Sequence, residues 1–252
     1  MTDSDKCPFV IGGVGGSGTR VFADILQKAG CYIGTRLNKA KDSQVFVPLY
    51  DKWIPRILAG DISQNEEGDL VSEMTDCVKE HRQEIPSGNI SWGWKNPRSI
   101  YLLKYFQKLY PEIKFIHIIR DGRDMAFSQN QNQLNMYAKY ILGQSELNQE
   151  PYITSMKFWS TVNLSVSDYC NKFLEENYLR IRFEDLCFGP EKTINEILAF
   201  CNIGGGNIES LAGLVRVPDS AGRWKTMDHS QITAVNRAGK YALEYFGYTH
   251  TD

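Results

Sequence analysis

The chain predicts an α/β fold: a three-layer sandwich with a mostly parallel central sheet and helices on both faces. Three observations predict it. Short apolar runs alternate with longer amphipathic stretches from one end to the other. The first run, Phe9-Val10-Ile11, enters a glycine cluster that ends in Ser17-Gly18-Thr19 and leaves it as a helical pattern. A later run, Lys114 to Ile119, is almost continuously apolar, as a strand covered on both faces must be.

Composition sets the outer bounds. The 252 residues are 42% hydrophobic and 23% charged, which suits a globular chain with a sizeable core, read here as a single domain over residues 1–252. A formal net charge of -2 argues against a nucleic-acid partner, so any anionic ligand must be held by local basic groups. Six scattered cysteines without a C-x-x-C pair read as reduced thiols, and four distant histidines offer no metal-ligand spacing. The polar start Met1 to Lys6 is no signal peptide, and no apolar run is long enough to span a membrane; a cytoplasmic protein is expected.

The elements follow in order. Strand one is expected over Phe9 to Gly13 and helix one over Thr19 to Ala29, its apolar side formed by Val21, Phe22, Ile25, Leu26 and Ala29. Cys31 to Gly34 reads as a short second strand, and Thr35 to Gln44 as polar and irregular. Val45 to Leu58 is helical with a break at Pro55, and Leu70 to Ile85 is helical again. After a turn at Pro86 to Asn89, Ile90 to Lys95 is a strand. Asn96 then caps, and Pro97 starts, the next helix, which Pro111 ends. Lys114 to Ile119 leads through Asp121-Gly122 into a helix from Arg123 that carries Ser128 about two turns in. Gln129 to Gln149, rich in Asn and Gln, reads as a mobile insert or lid. Tyr152 to Glu176 is a long helix, Tyr178 to Phe183 a strand and Pro190 to Cys201 a helix. A bend at Gly204 to Gly206, a loop at Pro218 to Trp224 and a helix from about Gln231 finish the chain.

In parallel sheets of this kind ligands sit at the carboxyl ends of the strands. Four polar groups of residues fall there: Gly15 to Arg20, Lys95, Arg120-Asp121 and Glu184-Asp185. The glycine loop brings backbone N–H groups close to a phosphate, helix one adds its N-terminal partial charge, and the hydroxyls of Ser17 and Thr19 add donors. It is not a Walker A sequence, because no lysine stands between Lys6 and Lys28. Arg120 and Ser128 can reach one anion at the sheet edge; equally, Arg120 can pair with Asp124 while Ser128 faces solvent. His117, inside a buried strand, reads as a satisfied core histidine.

Ile118 to Ser128 resembles the 3′-phosphate-binding segment of sulfotransferases that use 3′-phosphoadenosine 5′-phosphosulfate (PAPS), with an Arg at a strand end and a Ser eight residues on. Val14 to Thr19 resembles the same family's 5′-phosphosulfate loop. Trp94-Lys95-Asn96-Pro97 is similar to the Lys-x-Pro segment of its tyrosylprotein and carbohydrate-acting branch, as in a small bacterial-type member. Leu179 to Leu186 resembles the strand ending in aromatic-Glu-Asp-Leu, and Gly222-Arg223-Trp224-Lys225 the loop that closes over the donor.

The resemblance implies a P-loop NTPase-like fold and an enzyme that moves a sulfonate group in line from PAPS to an acceptor hydroxyl. The product is adenosine 3′,5′-bisphosphate (PAP), and no metal is required. It implies that Gly15, Gly16, Ser17, Gly18, Thr19 and Arg20 hold the 5′-phosphate end. Arg120 and Ser128, with Arg223, would hold the 3′-phosphate, and Phe183 or Trp224 would face the adenine, though each also fits a core. Gly16 stands where the family usually has Lys or Arg, which leaves Arg20 as a substitute and Lys95 as the candidate cation at the transferring group. Asp42 is the first candidate base and Asp51 the second; Asp42 also reads as a solvated carboxylate between lysines. The acceptor is a small molecule, lipid or carbohydrate. Two rivals stand beside this reading. One is a kinase-like nucleotide enzyme with Asp121 on magnesium, against which the missing loop lysine counts. The other is a nucleotide-binding protein of the same fold without turnover, for which Gly16 is the evidence.

Overall fold

A computed structural model describes residues 7–86, 90–204 and 206–248. The expected turn at Pro86 to Asn89 and bend at Gly204 to Gly206 therefore lie partly outside the described residues, and Met1 to Lys6 wholly so.

Four strands form one sheet: β1 (Phe9–Gly12), β2 (Gly93–Lys95), β3 (Lys114–Ile119) and β4 (Tyr178–Arg182). Their order is β2-β1-β3-β4, and every pairing is parallel. The register sets Ile11 beside Lys95, Gly12 beside His117 and Ile119 beside Arg182. All strands therefore deliver their carboxyl ends to one edge, as the sequence predicts.

The helices are α1 (Thr19–Lys28), α2 (Val47–Ala59), α3 (Gln64–Arg82), α4 (Leu103–Leu109), α5 (Gly122–Ala126) and α6 (Asn132–Ile141). They continue with α7 (Gln144–Leu147), α8 (Pro151–Phe173), α9 (Phe183–Phe188), α10 (Pro190–Phe200), α11 (Ile208–Ala212) and α12 (His229–Tyr245). Strand alternation sorts the apolar side chains into two cores. Phe9, Ile11, Ile116 and Ile118 meet Phe22, Ile25 and Leu26 of α1 and Ile194, Ile197 and Leu198 of α10. Val10, Phe115 and Ile119 meet the other layer, including Trp53, Trp94, Phe106, Phe158 and Trp159. Two cores on opposite faces of one sheet make the three layers. No helix among the described residues is long and apolar enough to cross a membrane.

Several expectations are corrected. Cys31 to Gly34 is not a strand; a single parallel bridge joins Tyr32 to Trp92, because the chain turns away at Gly34, where φ is 102°. Pro55 does not break α2, since its buried face of Leu49, Tyr50, Trp53 and Ile54 carries the helix past the missing donor. α3 starts at Gln64, six residues before Leu70, because Ser63 and Glu66 form a capping box. After Asn96 caps with its side chain, Pro97–Tyr101 is a tight 3-10 turn, and α4 follows. Likewise α12 starts at His229, where Asp228 and Gln231 make a capping box.

The polar insert is helical rather than a loose lid. α6 buries Gln133, Tyr137 and Ala138, and the Tyr101 hydroxyl donates to Gln133 Oε1 at 3.1 Å. Ser128 lies outside any helix, because α5 ends at Ala126. The Gln131 side chain stops it, donating from Nε2 to the carbonyls of Met125 (3.0 Å) and Ser128 (2.8 Å).

Candidate active site

The loop after β1 is closed from within. Ser17, 1% exposed, donates its hydroxyl proton to the Val14 carbonyl at 2.6 Å, so this hydroxyl braces the loop. Thr19 Oγ1 makes no hydrogen bond among the described residues and lines a cavity of about 470 Å³ with Gly15, Gly16, Gly18 and Arg20. Gly18 caps α1 in the left-handed region, at φ 82°, and no side chain fills the cap. The first N–H groups of α1 therefore lack a side-chain partner, and no acidic residue stands in its first turn. That is an anion cradle with its partial positive charge intact. Arg20 is exposed and forms no ion pair among the described residues.

Across the same cavity lie Asp42, Lys95 and Arg98. Lys95 ends β2 and is 2% exposed. Its Nζ donates to Asp42 Oδ1 at 2.5 Å and to the Ala40 carbonyl at 2.7 Å. Burial pulls the Lys95 pKa below the ordinary lysine value, and the Asp42 carboxylate opposes that fall. An ammonium has three donors, so one is left over. The loop bearing Asp42 is held to β2 by its backbone: Ser43 N donates to the Lys95 carbonyl at 2.8 Å. Asn38 braces the carboxylate itself, from Nδ2 to Oδ2 at 3.0 Å. The structure thus brings together two residues named separately from the sequence. Asp51, the second candidate base, is paired with Arg98.

Arg120 follows β3 and is 6% exposed. Its Nη2 donates to Asp124 Oδ2 at 3.2 Å and to Ser220 Oγ at 3.0 Å, while Nε is buried without a partner. The pairing with Asp124 is the one weighed from sequence. It leaves most of the five donors of the guanidinium unused, which is costly in a buried site unless a ligand takes them. Arg223 stands close by, with Nε on the Ser220 carbonyl at 3.2 Å and Nη1 on the Phe127 carbonyl at 3.4 Å. Burial, and then repulsion from Arg120, lower its pKa. Ser128 adjoins Phe127, and its Oγ accepts from Asn130 N at 3.1 Å. Two arginines around one carboxylate suit a further anion.

Phe183 is 5% exposed and packs against Gly18, with the Arg120 guanidinium 5.3 Å from its ring centroid. Trp224 has one ring face occupied by Arg123, at 3.9 Å. Arg123, wholly buried, is clasped by Asp121. Asp121, which the rival reading would place on magnesium, is thereby committed to an arginine. His117 lies between the Tyr178 hydroxyl and Asn163 Oδ1, each at 3.0 Å, and burial pushes its pKa down to about 3; it is a core histidine.

The profile of the sulfotransferase family matches residues 8–204, which takes in the loop, Lys95, Arg120 and Phe183. The chain belongs to the sulfotransferase family. Solved sulfotransferases share its fold. The sulfotransferase domain from the curacin biosynthetic pathway aligns with a TM-score of 0.58 and 14% identity, over 96% of this chain and 98% of that one. Sulfotransferase STF9 from Mycobacterium avium gives 0.60 and 10%, over 97% and 78%. Retinol dehydratase, solved with androsterone and the inactive cofactor PAP, gives 0.52 and 14%, over 97% and 82%. No curated protein sequence matches. The fold of this sulfotransferase is the P-loop-like α/β sandwich of those structures, and its reaction is sulfonate transfer.

Sequence reasoning missed what Asp124 and Ser220 do together. The sequence suggests Asp124 only as a partner of Arg120, yet it also accepts from the backbone of a loop 98 residues away, at Gly222 N. No local spacing signals such a bond.

Proposed function

We propose that this sulfotransferase moves the sulfonate of PAPS in line to an acceptor hydroxyl on a small molecule, lipid or carbohydrate. The observation that carries the reading is the Lys95–Asp42 pair, which lines one cavity with the uncapped start of α1. In-line transfer needs donors on the leaving phosphate, a cation beside the transferring group and a base on the acceptor. The N–H groups at the start of α1, with Thr19 and Arg20, serve the leaving phosphate. Lys95 offers its remaining donor to the sulfonate oxygens. Asp42, held in place by Lys95 and Asn38, takes the acceptor proton. Arg120, Ser128 and Arg223 take the 3′-phosphate; the buried, unpartnered Nε of Arg120 supports this.

The acceptor wall offers both polar and apolar surface: Asn38, Gln44, Asn130 and Asn132 line it together with Ala40, Val47, Pro97 and Met136. Six cysteines without a disulfide support a reducing compartment such as the cytoplasm.

Calorimetric titration with PAP, beside ADP and ATP with magnesium, tests the donor. The expected result is a metal-independent preference for PAP. Preference for ATP with magnesium would return the kinase-like reading.

A further inference from the structure

We propose that Asp124 is a positioning residue: it latches the loop 218–226 onto α5 so that Arg223 and Arg120 face the 3′-phosphate as one unit. This rests on the donor reading above.

The geometry is specific. Asp124 is 2% exposed, on a helix of barely more than one turn directly after Arg120. One carboxylate oxygen, Oδ2, accepts from Gly222 N at 2.9 Å and from Arg120 Nη2 at 3.2 Å. The other, Oδ1, accepts from Trp224 N at 3.3 Å. The two loop N–H groups thus flank Arg223. From the loop side Ser220 closes the ring: its hydroxyl meets Arg120 and its carbonyl meets Arg223 Nε at 3.2 Å.

Besides Asp124, the loop is anchored by Arg223 on the Phe127 carbonyl and by the buried Trp224 ring against Arg123. It has one 3-10 turn, Arg223–Thr226, which follows Gly222 in the left-handed region at φ 75°. Side-chain capping there comes from Asp124, across the molecule. A carboxylate suits the task better than an amide. It presents acceptors to all three donors, whereas an Asn would turn an NH₂ group toward one of them. The negative charge also offsets the repulsion between Arg120 and Arg223. Because Asp124 engages only Nη2 of Arg120, it does not compete for Nε or Nη1.

The test is a thermodynamic cycle read with PAP and with adenosine 5′-monophosphate, which differ by the 3′-phosphate alone. Asp124→Asn is expected to weaken PAP by roughly 10- to 50-fold and the monophosphate by less than about threefold. In an Arg223→Ala background the same change is expected to cost PAP clearly less than it does in the wild type, because only Arg120 is then left for the carboxylate to place. Multiplicative losses in the double variant would overturn the latch, as would equal weakening of both nucleotides or no weakening of PAP. A wild-type protein that does not prefer PAP would overturn the donor reading itself, and the latch with it. Should Asp124→Asn fail to fold, Ser220→Ala loosens the same ring from a half-buried position, and a weakening of PAP but not of the monophosphate is expected. Hydrogen exchange gives a separate readout: the Gly222 and Trp224 amides are expected to lose protection in Asp124→Asn while those of β3 keep theirs.

Discussion

Lys95 Nζ and Asp42 Oδ1 lie 2.5 Å apart, yet the two residues are unequally buried: the lysine side chain is 2% exposed and the aspartate 21%. The pair is therefore asymmetric. Removing the carboxylate strands a buried ammonium; removing the ammonium leaves a carboxylate that water reaches.

Asp42→Asn is accordingly expected to lower thermal stability more than Lys95→Met. An uncompensated buried charge costs about 3–5 kcal/mol at full burial, and less where solvent screens it. Both variants should lower kcat, by roughly 10²- to 10³-fold for loss of a charged donor at the transferring group and by roughly 10²- to 10⁴-fold for loss of the base. Thermal melts with and without PAP, beside steady-state kinetics, separate the effects. Equal melting temperatures would contradict the asymmetry, and unchanged kcat in Lys95→Met would remove the lysine from the chemistry.

Arg120→Ala should weaken PAP far more than adenosine 5′-monophosphate, by about 2–4 kcal/mol for a charged partner in a buried site. The orphaned Nε is the reason to expect the upper part of that range. Titration of both nucleotides checks it; equal weakening would sink the assignment of the 3′-phosphate to Arg120.

How much of this was legible in the sequence depends on whether the signal is local. β3 falls on the expected residues because five of its six side chains are buried and a glycine turn bounds it. The sheet edge was legible as well, since β1 runs into the glycine loop, β2 ends on Lys95, Arg120 follows β3 directly and β4 ends on Arg182. Tyr32 pairs with Trp92 through a single bridge, and nothing local distinguishes that from a short strand. The insert reads as loose from sequence because its amides disguise an inward face, Gln133 and Tyr137, spaced four apart on α6. Lys95 and Asp42 could each be named from the chain, but their contact joins residues 53 apart and comes only from the parallel register and the loop that Ser43 ties to β2.

The buried histidines predict a pH dependence of stability. Burial lowers the pKa of His117 to about 3 and of His81, whose Nε2 meets the Gly93 carbonyl at 2.9 Å, to about 4. Both values lie below the unfolded value near 6.5, so the unfolded chain binds more protons as pH falls. Their contribution is full above pH 6.5 and declines toward pH 4 and then 3, by about 1.4 kcal/mol per pH unit for each histidine. Urea unfolding at pH 7.5, 6 and 5 should show the decline, and His117→Gln should flatten part of it. A stability that stays level from pH 7 to 5 would contradict the burial of neutral imidazoles.

Two glycines of the phosphate loop allow a controlled comparison. Gly16 and Gly18 both hold positive φ, 95° and 82°, so alanine at either carries a similar backbone strain of about 1 kcal/mol. The surroundings differ. A Cβ on Gly16 would approach the Met125 methyl at 3.1 Å, the end of a flexible side chain. A Cβ on Gly18 would come within 2.3 Å of the Phe183 ring, which is buried and has Arg120 packed over it. Gly18→Ala must therefore displace a core aromatic, at a further cost of about 1–3 kcal/mol, whereas Gly16→Ala need only turn a methionine. The expected order of stability is wild type, Gly16→Ala, then Gly18→Ala, with PAP affinity falling furthest in the last because Phe183 also supports Arg120. Denaturant melts and PAP titrations of the two variants check it. The reverse order would mean that Phe183 yields readily, and the packing of Gly18 against it would then not be what holds the phosphate loop to Arg120.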